Sequence, residues 1–233
     1  MSEEITITYC FDFDDGRDKT FLIRLDRETL GFINKESEIV PEWANLTYHQ
    51  CKNCPLSESD NKYCPVAFNL KELTEKFSTI LSHEKVFVSV MTEDRTYKKR
   101  TTIEEALSSL MGIIMATSGC PVLDHLKPMV RFHLPFASPA ETTIRSLSMY
   151  LLAQFLLHKH KNTHDINFDL DDFEKIFSEI NEVNNDFSNR LRSAENEDAN
   201  LSALSNLDCN ATLVSLTIDD TLEELKQYFT AYL

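Results

Sequence analysis

The feature that most constrains this fold is at the N-terminus. Ile5, Ile7, Tyr9, Phe11 and Phe13 alternate with Thr6, Thr8, Cys10 and Asp12. A period of two places the apolar set on one face of a strand. The turn-forming run Asp14-Asp15-Gly16-Arg17-Asp18 follows, and Phe21, Ile23 and Leu25 then resume the alternation. This is the pattern of a β-hairpin with one face to bury. A second hairpin is expected from KVFVSVM and RTYKKRT, joined by Thr92-Glu93-Asp94. The cover for these strands must be helical, because four glycines and seven prolines in 233 residues are too few for a turn-rich all-β chain. The expected class is therefore α+β and helix-rich, with two antiparallel hairpins forming a small sheet packed on helices.

Helical periodicity supplies that cover. Asp26 is expected to cap a short helix, LDRETLGFI. Pro65 opens a helix in which Val66, Phe68, Leu70, Leu73, Phe77, Ile80 and Leu81 share a face. Thr101 or Thr102, with Glu104 or Glu105 three residues on, reads as the capping box of a helix that Gly119 ends. A short helix is expected after Cys120-Pro121. Ser138-Pro139-Ala140-Glu141 starts another helix, running to about Lys161. Phe173, Ile176, Phe177, Ile180, Val183, Phe187 and Leu191 mark a long amphipathic helix. DANLSALSNLDCNATLVSL is a further one, and Asp220 is expected to cap a last helix, TLEELKQYFTAYL. The loop NTHDINFD is the expected boundary between a cysteine-bearing domain at 1–164 and acidic C-terminal helices at 165–233, unless both pack on one core.

Net charge is −15, and it is concentrated late in the chain. From Asp165 onward there are 16 acidic and four basic residues. That balance repels phosphate backbones and argues against general nucleic-acid binding. It reads either as a solvated acidic surface or as a docking face for a basic protein partner. MSEEITITYCFDF has no basic start and no apolar signal core, and LMGIIMA and YLLAQFLL are far shorter than the ~20 residues that span a bilayer. The expectation is a cytoplasmic protein, in a compartment where thiols stay reduced.

Four of the six cysteines form a constellation: Cys51, Cys54, Cys64 and Cys120. Cys51-x-x-Cys54 brings two thiols to one point from a tight turn, and two more sulfurs would complete a tetrahedral zinc set. His49, His125 and His133 are substitutes for a missing thiol. Three prolines directly follow a cysteine, at Pro55, Pro65 and Pro121. Proline favours the first helical position, so at least Cys64 and Cys120 are expected at helix starts, where the dipole favours thiolate. A closed four-sulfur set leaves no open position for water, so such a metal is structural rather than catalytic. It would also offset the ordering entropy of the irregular segment 34–63, at ~1–2 kcal/mol per residue. The same residues admit other readings: uncommitted buried thiols, an iron–sulfur cluster, a redox-active Cys51–Cys54 pair, or a nucleophilic Cys120 beside His125. Cys10 and Cys209 read as core residues.

Arg131, His133, Glu141 and Arg145 gather around a proline bend and a helix start, and form a candidate site for an anion or small ligand. Against this, Glu141 and Arg145 form an ordinary i, i+4 pair. His158, His160 and His164 cluster near a helix end, Lys98 to Arg100 read as guards of an edge strand, and Trp43 as the anchor of its loop. The chain has no phosphate-binding glycine loop, nucleophile elbow or zinc-protease motif, and no catalytic residue is assigned.

Four segments together, YCFDFDDGRDKTFLIRLDRETL, CKNCPL…YCPVA, SGCPVLDHLKPMVRFHLPFAS and TLEELKQYFTAYL, resemble an uncharacterised family of bacterial proteins of unknown function. The resemblance covers most of the chain. It implies a bacterial, cytoplasmic origin and no particular activity. The leading expectation is a non-enzymatic interaction or regulatory protein with a structural cysteine-bound zinc. The alternative is a redox protein or enzyme, iron–sulfur proteins included, built on Cys120 and the Cys51/Cys54/Cys64 cluster.

Overall fold

The computed structural model describes residues 3–34, 39–161, 170–194, 198–216 and 218–233. The N-terminal alternation becomes β1 (Glu4–Phe13) and β2 (Asp18–Asp26), and the second hairpin becomes β3 (Lys85–Met91) and β4 (Thr96–Thr102). The four strands form one antiparallel sheet in the order β2-β1-β3-β4. The two hairpins join through β1 and β3, with Tyr9 opposite Val90 and Phe11 opposite Val88. Ile7, Tyr9, Phe11, Ile23, Val86, Val88 and Val90 face one side and are buried. The opposite face carries Thr6, Thr8 and Asp12 and stays open, as an antiparallel sheet covered on one side allows. Cys10 lies on that open face and is only half-buried, with the Thr20 hydroxyl 3.8 Å from its sulfur. The expectation that it belongs to the core fails because its neighbours Tyr9 and Phe11 take the inward positions. The side chain of Cys209 lies outside the described residues.

Helices cover the buried face: α1 (Pro65–Phe77), α2 (Ile103–Thr117), α3 (Lys127–Arg131), α4 (Pro139–Lys161), α5 (Asp171–Ala194), α6 (Asp198–Leu216) and α7 (Ile218–Leu225). α2 is the central one, with Ile103, Leu107, Leu110, Met111 and Ile114 fully buried. Ile180, Val183, Phe187 and Leu191 of α5, and Ala199, Ala203 and Leu204 of α6, belong to the same core as the sheet residues. A smaller apolar cluster joins Leu147 and Tyr150 of α4 to Phe173 and Phe177 of α5 and Ile218 of α7. Leu152, Phe155, Leu156 and Leu157, further along α4, are exposed. No helix among the described residues is long and apolar enough to cross a membrane. The loop NTHDINFD, expected to be a boundary, falls on 162–169, outside the described residues.

Several local expectations need correction. No helix follows Asp26. Its carboxylate accepts the N–H of Thr29 at 2.7 Å, the chain turns through Leu30 at φ +55°, and Phe32 bridges back to Leu25. The side chain thus caps a turn that returns the chain to the sheet edge. Thr102 is the N-cap of α2 but makes no side-chain cap bond, while Thr101 donates to Glu105. α7 begins at Ile218, ahead of Asp220, and gives way at Leu225 to a 3-10 turn, Lys226–Tyr228. By contrast, Ser138 and Glu141 form the expected capping box: Ser138 N–H donates to the Glu141 carboxylate at 2.8 Å, and Glu141 N–H donates to Ser138 Oγ at 3.3 Å. Gly119, at φ +92°, ends the α2 segment as expected. β4 is an edge strand, and Lys98 to Arg100 lie exposed on it.

The irregular segment before α1 has no apolar core of its own and is held from outside. Trp43, Ala44 and Leu46 are buried. Arg190 of α5, fully buried, donates from Nη1 to the carbonyls of Trp43 (2.9 Å) and Asn45 (2.7 Å), and from Nη2 to that of Leu46 (3.0 Å). Two main-chain oxygens, those of Trp43 and Leu46, would otherwise be buried unpaired, while the Asn45 carbonyl also accepts from Tyr48 N–H at 3.2 Å. Replacing Arg190 by methionine is expected to lower stability by about 3 kcal/mol, because the apolar isostere leaves the Trp43 and Leu46 carbonyls without donors. Urea unfolding of Arg190→Met checks this; a midpoint equal to that of the wild type contradicts it.

Candidate functional site: the cysteine cluster and the adjoining cavity

Each of the four cysteines is fixed by a different local device. Cys51 and Cys54 close a tight turn, with Cys54 N–H donating to the Cys51 carbonyl at 3.1 Å. That turn rests on α5: Lys52 N–H donates to Asp186 Oδ2 at 2.8 Å, and Asn53 Nδ2 donates to the Glu179 carbonyl at 2.9 Å. Cys64 is the N-cap of α1 with Pro65 at the first helical position, as the cysteine–proline pairing predicts. Its N–H donates to the Ala44 carbonyl at 2.9 Å. Cys120 follows Gly119, and its N–H donates to Ser118 Oγ at 3.2 Å. The Ser118 carbonyl in turn accepts from Asn69 of α1 at 3.1 Å, which ties the end of α2 to the helix that Cys64 starts.

These devices bring the sulfurs into one neighbourhood. Cys51 feels the charges of Cys64 and Cys54, and Cys120 feels those of Cys64 and Cys54. All four are free thiols; Cys64 and Cys120 are buried, and Cys51 and Cys54 are half-buried. Among the described residues, no three His, Cys, Asp or Glu side chains form a group that could hold a metal ion. Cys54 and Cys64 thus act on both Cys51 and Cys120, and among the described residues the sulfurs do not close a coordination shell. Arg190 belongs to the same neighbourhood, since its charge favours the Cys51 thiolate. Its Nε–H is buried and has no hydrogen-bond partner.

Burial opposes the thiolate form that the helix starts were expected to favour. Burial first, and the neighbouring Cys64 second, push the Cys51 thiol up to about 12. Burial also raises Cys120, although the backbone N–H groups of Val122 and Leu123 point at its sulfur and act the other way. Desolvation outweighs a single turn of oriented N–H groups. The short helical path after Cys120 opens as a 3-10 turn at Leu123–Leu126. The three candidate substitute histidines lie apart from the thiols in role. His49 is exposed against the Tyr48 ring, and His125 is exposed with Nδ1 3.1 Å from the Val122 carbonyl. His133 is bonded to Tyr9.

The second candidate quartet divides. Arg131 lies outside, its guanidinium over the Phe132 ring. Glu141 is used in the capping box. His133 and Arg145 both line a half-open cavity of about 600 Å³ between β4, α2, α3, α4, α5 and α6. Arg145 Nη2 donates to the carbonyls of Phe132 (2.7 Å) and Met129 (3.2 Å). His133 Nε2 lies 2.7 Å from the Tyr9 hydroxyl, which is 2.9 Å from Ser109 Oγ. Burial raises the Tyr9 phenol, which keeps its proton and shares one hydrogen bond with His133 Nε2 and one with Ser109 Oγ. His158 and His160 lie near the C-terminal end of α4, and His164 is outside the described residues.

A family model matches residues 7–230. The chain belongs to the family described as Domain of unknown function (DUF6901). No curated protein and no solved structure matches it. The resemblance drawn from the cysteine–proline segments therefore agrees with the family assignment, and that assignment carries no activity with it. The cavity left no clear mark on the sequence, because its walls come from five helices whose apolar positions look like any core. Only His133 and Arg145 were visible beforehand, through their place at a proline bend.

The His133 environment makes a pH prediction. Burial, with Arg145 nearby, pushes its imidazole down to about 3 from 6.5. Above pH 6.5 the ring is neutral folded or unfolded and contributes no slope. Below pH 6.5 the unfolded chain takes up a proton that the folded chain refuses until about pH 3. Stability is therefore lost as pH falls through that window, by up to about 1.4 kcal/mol per pH unit. His133→Gln is expected to flatten the fall in melting temperature between pH 6.5 and 4.5 relative to wild type; equal slopes contradict this.

Proposed function

We propose that this is a non-enzymatic interaction or regulatory protein whose irregular N-terminal segment is stapled by a metal centre on Cys51, Cys54, Cys64 and Cys120. One feature supports the reading: Cys51 and Cys120, far apart in sequence, are each acted on electrostatically by Cys54 and Cys64, and Arg190, whose buried Nε–H has no partner among the described residues, acts on Cys51. A four-thiolate zinc centre carries a net charge of −2, and the Arg190 cation offsets part of it where water does not. The donor set is of the right kind for zinc, and the residues that would hold it are those four sulfurs. Metal binding would displace the thiol protons of its ligands, against the burial that raises Cys51 and Cys120, and its free energy would add to that of folding. Such a centre is architectural, and the chemistry it supplies is cross-linking.

A second reading of the same residues is favoured by the spread of the sulfurs, which interact electrostatically without forming a single-ion group. An iron–sulfur cluster offers its cysteine ligands the corners of a body several ångström across, and so accepts thiolates further apart than one ion does. A cysteine nucleophile is the weaker alternative. The raised Cys120 thiol is mostly protonated near neutral pH, and exposed His125 is bonded to its own turn. The acidic C-terminal helices are the proposed surface for a basic protein partner, in the reducing cytoplasm. Binding through them would weaken as ionic strength rises.

Elemental analysis and a visible spectrum of protein purified without oxygen test the reading. One zinc per chain in a colourless protein, or iron with inorganic sulfide in a brown one, is the expected result. Cys64→Ser and Cys120→Ser are expected to lose that metal and to melt lower by several degrees. Protein that is metal-free as isolated, with four thiols titrating freely, contradicts the proposal.

A further inference from the structure

The cavity beside α2 is lined by residues separate from the thiol set, and the inference drawn from it stands without a metal. At about 600 Å³ it has the size of a small-molecule site. Leu126, Met129, Phe136, Phe177, Ile180 and Leu207 give it a mostly apolar wall. Lys99 and Glu105, where β4 meets α2, close on each other at 2.5 Å, and Glu104 stands beside them. Further along the wall, Arg145 is the remaining cation. Among the described residues no carboxylate lies within ion-pair distance of it, and its hydrogen bonds run from Nη2 to two carbonyls. Those bonds fix the plane of the guanidinium and leave Nη1 and Nε without a protein partner. Burial shifts Arg145 downward, so its charge is held at a cost. His133, Ser109 and Asn184 are neutral polar groups on the same wall.

We infer that this cavity binds an amphipathic monocarboxylate, a small acid with an apolar body, whose carboxylate pairs with Arg145 and whose hydrocarbon lies against the apolar wall. With both Nη2 hydrogens on carbonyls, a carboxylate pairs with Arg145 through a single charge-assisted hydrogen bond from Nη1 or Nε. A phosphate dianion would need further donors, and the wall offers no second uncompensated cation and no glycine loop. The apolar lining selects against fully polar acids such as citrate.

Isothermal titration of the full-length chain with octanoate, 1-octanol and octyl phosphate tests this. Octanoate is expected to bind at least tenfold more tightly than either of the others. Arg145→Met is expected to remove the preference for octanoate over octanol while leaving octanol binding within about twofold. Leu207→Trp, which narrows the cavity from α6 without touching Arg145, is expected to weaken both ligands. The wild-type comparison requires no variant to fold. No octanoate binding at millimolar concentration, equal binding of octanol, or a preference that survives in Arg145→Met overturns the inference.

Discussion

The fold depends on how one buried cation is satisfied. Arg190 extends from α5 into the segment between β2 and α1 and donates to the carbonyls of Trp43, Asn45 and Leu46. A segment with few apolar residues cannot order itself, because each residue fixed costs ~1–2 kcal/mol of backbone entropy. Here the ordering comes from three sources: the burial of Trp43 and Leu46, the guanidinium, and the Asp186 and Glu179 contacts to the Cys51–Cys54 turn. Helix α5 thus acts as a rail along which the irregular segment is attached. The thiols converge because that rail and the end of α2 present their attachments to the same place.

An arginine buried in this way raises its own electrostatic problem. Its hydrogen bonds go to neutral carbonyls, and its Nε–H has no partner. Desolvated charge is stable where an opposite charge stands close. Asp186, one helical turn before it on α5, and the sulfur of Cys51 are the acidic groups in this neighbourhood, and burial raises the Cys51 thiol. In the proposed reading a metal would act on both sides: it would convert thiols to thiolates and place an anionic centre near Arg190. The same physics is repeated across α2, where Arg145 is also bonded to carbonyls and faces an apolar cavity. Under the two proposals, the anion would come from the protein's own sulfur in the first place and from a ligand in the second.

Much of the scaffold was legible from residue order. The alternation at Ile5–Phe13 and Phe21–Leu25 fixes two strands, and one-sided burial then requires a helical layer. The Ser138–Glu141 capping box and Gly119 mark helix ends because each satisfies backbone groups locally. Asp26 misled because an N-cap and a turn-closing aspartate use the same hydrogen bond to the next N–H groups, and only the return of Phe32 to the sheet separates them. Arg190 was invisible for a different reason. It sits in a helix that reads as acidic and solvent-facing, and its carbonyl partners have no side-chain signature. The cavity was unreadable because packing, unlike periodicity, depends on five helices at once.

X-ray absorption at the edge of the bound metal tests the central claim most directly, because it counts sulfur neighbours in the folded chain. The account predicts a first shell of four sulfur scatterers at about 2.3 Å for zinc, or the mixed sulfur and iron shells of a cluster. A first shell of nitrogen and oxygen, or no edge above background in protein isolated without chelator, contradicts it.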